Sequence, residues 1–197
     1  MSLEFPAEIS RFYLRELDSL RREIEAYPDD ESIWRLPPGA PNSAGTLTLH
    51  VCGNLQHYLG ALLGGTGYVR DRDAEFATRD LSRGSLIDHV SATERAISSS
   101  VPTIGRLVLA DPFPEPIRGE TLSTREALLH LATHLAYHIG QVDYHRRLVS
   151  RDPKGIDAIS PIELKARALN AEVMSSVAST CLWLEILYRR VLGSVVA

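Results

Sequence analysis

The sequence predicts an all-α protein, a four-helix bundle with one long crossover and an additional C-terminal helix. Three observations carry that expectation. Apolar residues recur at helical spacing almost throughout, and no run alternates as a half-buried strand must. Proline and glycine clusters punctuate the chain into long segments. Two S-x-x-E capping boxes, Ser123-Thr124-Arg125-Glu126 and Ser160-Pro161-Ile162-Glu163, mark helix starts, because serine and glutamate satisfy the orphan amides of a first turn.

Each element follows in order. A first helix is expected from about residue 7 to 26, with Ile9, Phe12, Tyr13, Leu17, Leu20 and Ile24 on its inner side. Pro28, Pro37, Pro38 and Pro41 mark an irregular connection, after which Asn42 caps a second helix carrying Leu47, Val51, Leu55, Tyr58 and Leu62. Gly64 and Gly65 end it, since glycine readily adopts the left-handed conformation that closes a helix. A loop containing GTGYVRDRDAEF leads to a third helix near residues 85 to 100, and four prolines between positions 101 and 120 read as a crossover. The fourth helix starts at the first capping box and runs to about Val149. The second box, with proline at the first helical position where its missing N–H costs nothing, opens a C-terminal helix to about Leu192. The expected division is residues 1–155 as the bundle and 156–197 as an extension packing on the bundle or on a partner subunit.

Composition narrows the function. With net charge −4 and a pI near 6.0, and no basic stripe interleaved with aromatics, no nucleic-acid partner is expected. Cys52 and Cys181 form no CxxC pair, which favours reduced thiols and a cytoplasmic location. The N-terminal residues show no basic region followed by an apolar run. No apolar stretch approaches the ~20 residues of a membrane span.

The chemistry-bearing stretch is HLATHLAYHIGQ, residues 130 to 141, with histidines four residues apart. At ~100° per residue, His130, His134 and His138 lie within about 40° of one another in steps along one helix face, with Gln141 and His145 close to the same line. They border the buried stripe of Leu128, Leu131, Leu135, Ile139 and Val142. The second helix repeats the pattern, with His50, Asn54 and His57 on the shoulder of its own stripe. If the two shoulders face each other, His50, His134 and His138 form a three-histidine metal site that leaves positions open for water or substrate, as catalytic sites do. Imidazole suits zinc, nickel, iron or copper alike. The alternative is that these histidines are only the polar edge of two helices. His57, His89 and His145 are read as structural, and Cys52, about 200° from His50, as a buried hydrophobe pointing away.

The order of these motifs resembles the DinB/YfiT-like superfamily of metal-binding four-helix bundles. His50 on the second helix is followed by Gly53-Asn54-Leu55, then by an R-x-R-D-x-E-F loop at residues 70 to 76, then by His134-x-x-x-His138 with Gly140-Gln141. The G-N-L motif and the loop resemble one subgroup. The resemblance covers roughly residues 5–150 and implies a DinB/YfiT-like bundle, commonly a homodimer, with His50, His134 and His138 around a divalent metal. It further implies a metal-dependent transferase using a low-molecular-weight thiol, or a hydrolase, acting on a small-molecule substrate. A non-catalytic bundle that is stabilised by metal or sequesters it is the alternative.

Supporting roles are expected around this core. Asn54, His130 and Gln141 are placed to hydrogen-bond a ligand or a metal-bound water, and His130 could itself be a fourth ligand. Arg70 and Arg72 could meet a substrate carboxylate, for which the guanidinium fork is well shaped; a solvated, salt-bridged loop is the competing reading. Gly53 and Gly140 cost a helix up to ~1 kcal/mol each, which close approach beside the site would explain.

Overall fold

The computed structural model describes residues 5–105 and 107–156; the expected C-terminal helix and its capping box at Ser160 lie outside them. Within the described residues the protein is all-helical. The elements are α1 (Phe5–Glu25), α2 (Asp30–Trp34), α3 (Ala44–Leu55), a π-helical continuation (Gln56–Leu63), α4 (Arg72–Ala77), α5 (Arg83–Ser100) and α6 (Thr124–Ser150). Helix α1 packs against α5 and α6, and α3 packs against the same two. Their inner faces share one core that includes Leu17, Leu20, Val51, Leu55, Val90, Leu128 and Leu135. None of these helices is long and apolar enough to cross a membrane.

Local chemistry fixes the helix starts. Ser43, not the expected Asn42, caps α3 by accepting from the Thr46 amide. Ser82 caps α5, which therefore begins at Arg83, two residues before the expected start. Ser123 and Glu126 form the full capping box of α6. Two short helices occupy what the sequence reads as loops. Asp29 caps α2 in a reciprocal box with Ser32, and Asp71 caps α4 by accepting from the Ala74 amide. Helices of five and six residues are too short for hydrophobic periodicity to reveal; their acidic caps were the legible signal.

Three further differences matter. Helix α3 is buried on every side, so His50 and Asn54 lie in the interior and not on a partly exposed shoulder; α2 and α4 also pack on it. Phe12, expected inward, is 42% exposed. The helix after Leu55 widens into π geometry. The crossover between α5 and α6 consists of short 3₁₀ turns and two isolated bridges, Pro112 with Ser123 and Ile117 with Glu120.

Buried polar links lock α6 in place. Arg146 and Glu23, both 2% exposed in their side chains, pair at 2.6 Å between α6 and α1. His145 Nε2 lies 2.7 Å from the Arg35 carbonyl, which can only accept, so Nε2 carries the proton and Nδ1 accepts from Tyr27 Oη at 2.7 Å. This satisfies both ring nitrogens and gives His145 the structural role its sequence context suggested.

Candidate metal centre

Helix α3 supplies His50, and α6, more than eighty positions later, supplies His134 and His138. The four-residue spacing stacks the latter two on one face of α6. One ligand-capable atom from each of the three histidines lies within 4.8 Å of those of the other two. The His134 and His138 Nε2 atoms are 3.0 Å apart. The His50 ring stands nearly perpendicular to both, with centroids at 5.3 and 5.2 Å.

Hydrogen bonds set the tautomers. Glu75 Oε2 lies 3.0 Å from His50 Nδ1; a carboxylate oxygen accepts, so Nδ1 donates and Nε2 keeps its lone pair. Gln141 Oε1 does the same for His138 Nδ1 at 2.7 Å. A carboxylate behind an imidazole is the arrangement that orients metal-binding histidines and raises their basicity. Burial, followed by repulsion from His138 and His50, holds His134 down at about 4. Burial likewise holds His138 below the ordinary imidazole value, against the opposing bond to Gln141. Both rings are therefore neutral at pH 7, the state a metal requires.

The donor set fits a cation. With its Nδ1 proton on Gln141, His138 turns a lone pair toward His134 Nε2. Two nitrogens ~2.0–2.1 Å from a shared ion sit roughly 2.9–3.4 Å apart for angles between about 90° and 109°, and the observed 3.0 Å falls in that span. No fourth histidine, cysteine or carboxylate joins the cluster among the described residues. His130 is exposed and stacks on the His134 ring, with centroids at 6.3 Å and planes 15° apart.

Glu75 is the residue that sequence reading missed. It is 6% exposed and accepts from Arg70 Nε at 2.7 Å and Nη2 at 2.9 Å as well as from His50. Burial opposes its charge, but the bonds from Arg70 and His50 prevail and hold its carboxyl below the usual carboxylate value. The Arg70 fork is thus occupied by Glu75. The signal was present in the R-x-R-D-x-E-F loop. Arg70 and Glu75 form the ion pair, Asp71 caps α4, Phe76 packs on His50 with centroids at 4.9 Å, and Arg72 lies 5.0 Å over the Phe76 ring.

Gly53 is explained by the same carboxylate. A Cβ there would stand 2.2 Å from Glu75 Oε1 and 2.8 Å from its carboxyl carbon. Gly140 differs, since nothing lies within 4 Å of the Cβ it lacks; close approach does not account for it. Cys52 is fully buried among core residues, and burial pushes its thiol up to about 12, so it is inert at neutral pH.

The three histidines form part of the lining of an open cavity of about 370 Å³, with Asn54, Tyr58, Arg70, Arg72, Ile117, Arg118, His130 and Leu131. Tyr58 reaches it through the π segment. In a continuous α-helix Tyr58 would lie about 80° from His50, on the core stripe. Three residues at π geometry, about 4.4 per turn, bring it to roughly 25°. Burial, then Glu115, push the Tyr58 phenol up, so it remains a proton-bearing donor.

Fold and site together define a protein, all-helical in its described residues, with a cluster of three histidines, His50 buried and His134 and His138 half-buried, able to hold a metal ion at one wall of an open cavity. The chain belongs to the family described as "Protein of unknown function (DUF1572)", whose profile matches residues 8–157. No curated protein matches the chain.

Proposed function

We propose that this protein is a divalent-metal-dependent enzyme of the DinB/YfiT-like four-helix type, acting as a thiol-dependent transferase or a hydrolase. The observation that carries the reading is the convergence of three imidazoles, two of them kept neutral by burial, beside an open cavity, without a fourth protein ligand among the described residues. A structural site would be closed by four protein ligands; a catalytic one keeps positions free. That distinction favours catalysis over metal storage.

The chain's own groups divide the work. His50 and His138 would hold the ion through the Nε2 atoms that their bonds to Glu75 and Gln141 leave unprotonated, and His134 through its Nε2, which the ion would take in place of the bond to His138. Glu75 fixes the His50 ring and is itself held by Arg70. Gln141 fixes His138. When bound, a zinc, nickel or iron ion supplies Lewis acidity that lowers the pKa of water or of a thiol reaching it. Tyr58 offers a phenolic proton to a molecule in the cavity.

The test is the metal content of untagged protein, wild type and His138→Ala, by elemental analysis. About one ion per chain, lost in the variant, is expected. A wild type that stays metal-free after incubation with zinc, nickel or iron refutes the reading.

A further inference from the structure

We propose that the cavity beside the three histidines recognises a small organic molecule through an oxyanion, a carboxylate or a phosphate monoester, gripped by Arg72 and Arg118 at its mouth. Asn54 takes an N–H or O–H of the same molecule deeper in. This names the substrate class of the site described above and rests on that functional reading for its chemistry, though not for the binding itself.

Charge is the first argument. The protein carries 25 acidic against 21 basic residues, yet the cavity is lined by three arginines and by no carboxylate. Glu75 lies behind His50, and its charge is matched by Arg70. Arg72 and Arg118 are exposed, and neither has an ion-pair partner among the described residues. A cleft of one sign concentrates the opposite one. The guanidinium fork suits planar carboxylates and phosphate oxygens.

Backbone conformation is the second. Arg118 and Gly119 both have positive φ, 55° and 88°, between Ile117 and Glu120, whose backbones exchange hydrogen bonds at 2.9 and 3.1 Å. A two-residue turn of this kind prefers Asn, Asp or Gly at its first central position. Arginine there is disfavoured by its Cβ, and the turn presents that side chain to the cavity while burying Ile117 beneath it. Strain retained beside a site points to a use for the residue.

The third is an orphan. Asn54 is 8% exposed and lines the cavity, and its Oδ1 is buried without a hydrogen-bond partner. Such an acceptor is rare in folded proteins. It is satisfied by a donor arriving from the cavity. The volume of about 370 Å³ admits a molecule of metabolite size.

The experiment titrates inorganic phosphate and, separately, succinate into the full-length protein by calorimetry, once loaded with zinc and once stripped of metal. Arg118→Asn and Arg72→Gln are titrated alongside. Asparagine is at home in the left-handed turn, so Arg118→Asn should melt at or above the wild-type temperature while binding the anion about tenfold more weakly. Arg72→Gln should weaken binding in the same direction. Tighter binding of phosphate identifies a phosphorylated ligand and tighter binding of succinate a carboxylate; either supports the proposal. Neither probe binding to wild type, or both variants binding as wild type does, overturns it. Protein that takes up no zinc yet loses its anion affinity with Arg118→Asn sinks the metal reading and leaves this one standing. Anion binding that needs zinc and ignores both arginines does the reverse.

Discussion

Two glycines flank the proposed ligands in sequence, and the structure predicts opposite outcomes for replacing them with alanine. Both lie inside helices, where alanine is favoured by up to ~1 kcal/mol. Gly140 is exposed with open space around it, so Gly140→Ala should collect most of that gain. Gly53 faces the Glu75 carboxylate. The new methyl would lie 2.2 Å from Oε1, the atom that accepts from Arg70 Nε at 2.7 Å. A glutamate tip could swing aside elsewhere, but this one is held by Arg70 and His50 in a nearly closed space. Its displacement forfeits a charge-assisted bond worth ~1.5–3 kcal/mol. After subtracting the ~1 kcal/mol propensity gain, Gly53→Ala is destabilised by roughly 0.5–2 kcal/mol. For a chain of this size that lowers Tm by roughly 1–8 °C at 2–4 °C per kcal/mol. Displacing Glu75 also releases His50 Nδ1, so zinc affinity should fall about 10–100-fold, the usual consequence of losing such support. Thermal melts of both metal-free variants, followed by zinc competition against a chromophoric chelator, test this. A Gly53→Ala protein as stable as Gly140→Ala, with unchanged zinc affinity, would refute the geometry around Glu75.

Other outcomes follow from the same structure. Glu75→Gln should keep the fold's helix content but weaken zinc by about 10–100-fold, read by the same competition assay. Stripping the metal with a chelator should lower Tm, because an ion at a hundred times its Kd contributes ~2.7 kcal/mol of stability. Ser123→Ala removes the α6 cap and should cost about 1 kcal/mol in a urea titration. His145→Phe leaves the Arg35 carbonyl unpaired and the Tyr27 hydroxyl with only its longer bond to the Val142 carbonyl at 3.3 Å, and should cost ~1–3 kcal/mol at pH 7.5. Burial holds His145 below the ordinary imidazole value, so the unfolded chain takes up the proton first. That residue's contribution is complete above about pH 6.5 and is lost as pH falls through and below it. The gap between wild type and His145→Phe should therefore narrow from pH 7.5 toward pH 5; a constant gap would contradict the neutral tautomer.

What the sequence could determine was whatever depends on neighbours along the chain. Helical periodicity located α1, α3, α5 and α6, because a 3.6-residue repeat of apolar side chains is a local property. The Ser123 to Glu126 box placed the start of α6 for the same reason. The spacing of His134 and His138 put them on one face, and the parallel pattern around His50 suggested the opposing wall. Tertiary structure decided everything that required two distant segments to meet. Glu75 belongs to a six-residue helix, too short to show a period, and it reaches His50 only because α4 packs on α3. The same packing separated Gly53 from Gly140, which carry identical information as letters in a helix. Tyr58 moved from core stripe to cavity because the backbone widens after Leu55, and hydrophobic periodicity assumes a constant turn. Arg118 entered the site through a strained two-residue turn in a crossover whose prolines announced only irregularity. Sequence could place side chains on a helix face; only the packed protein could show which face each one meets.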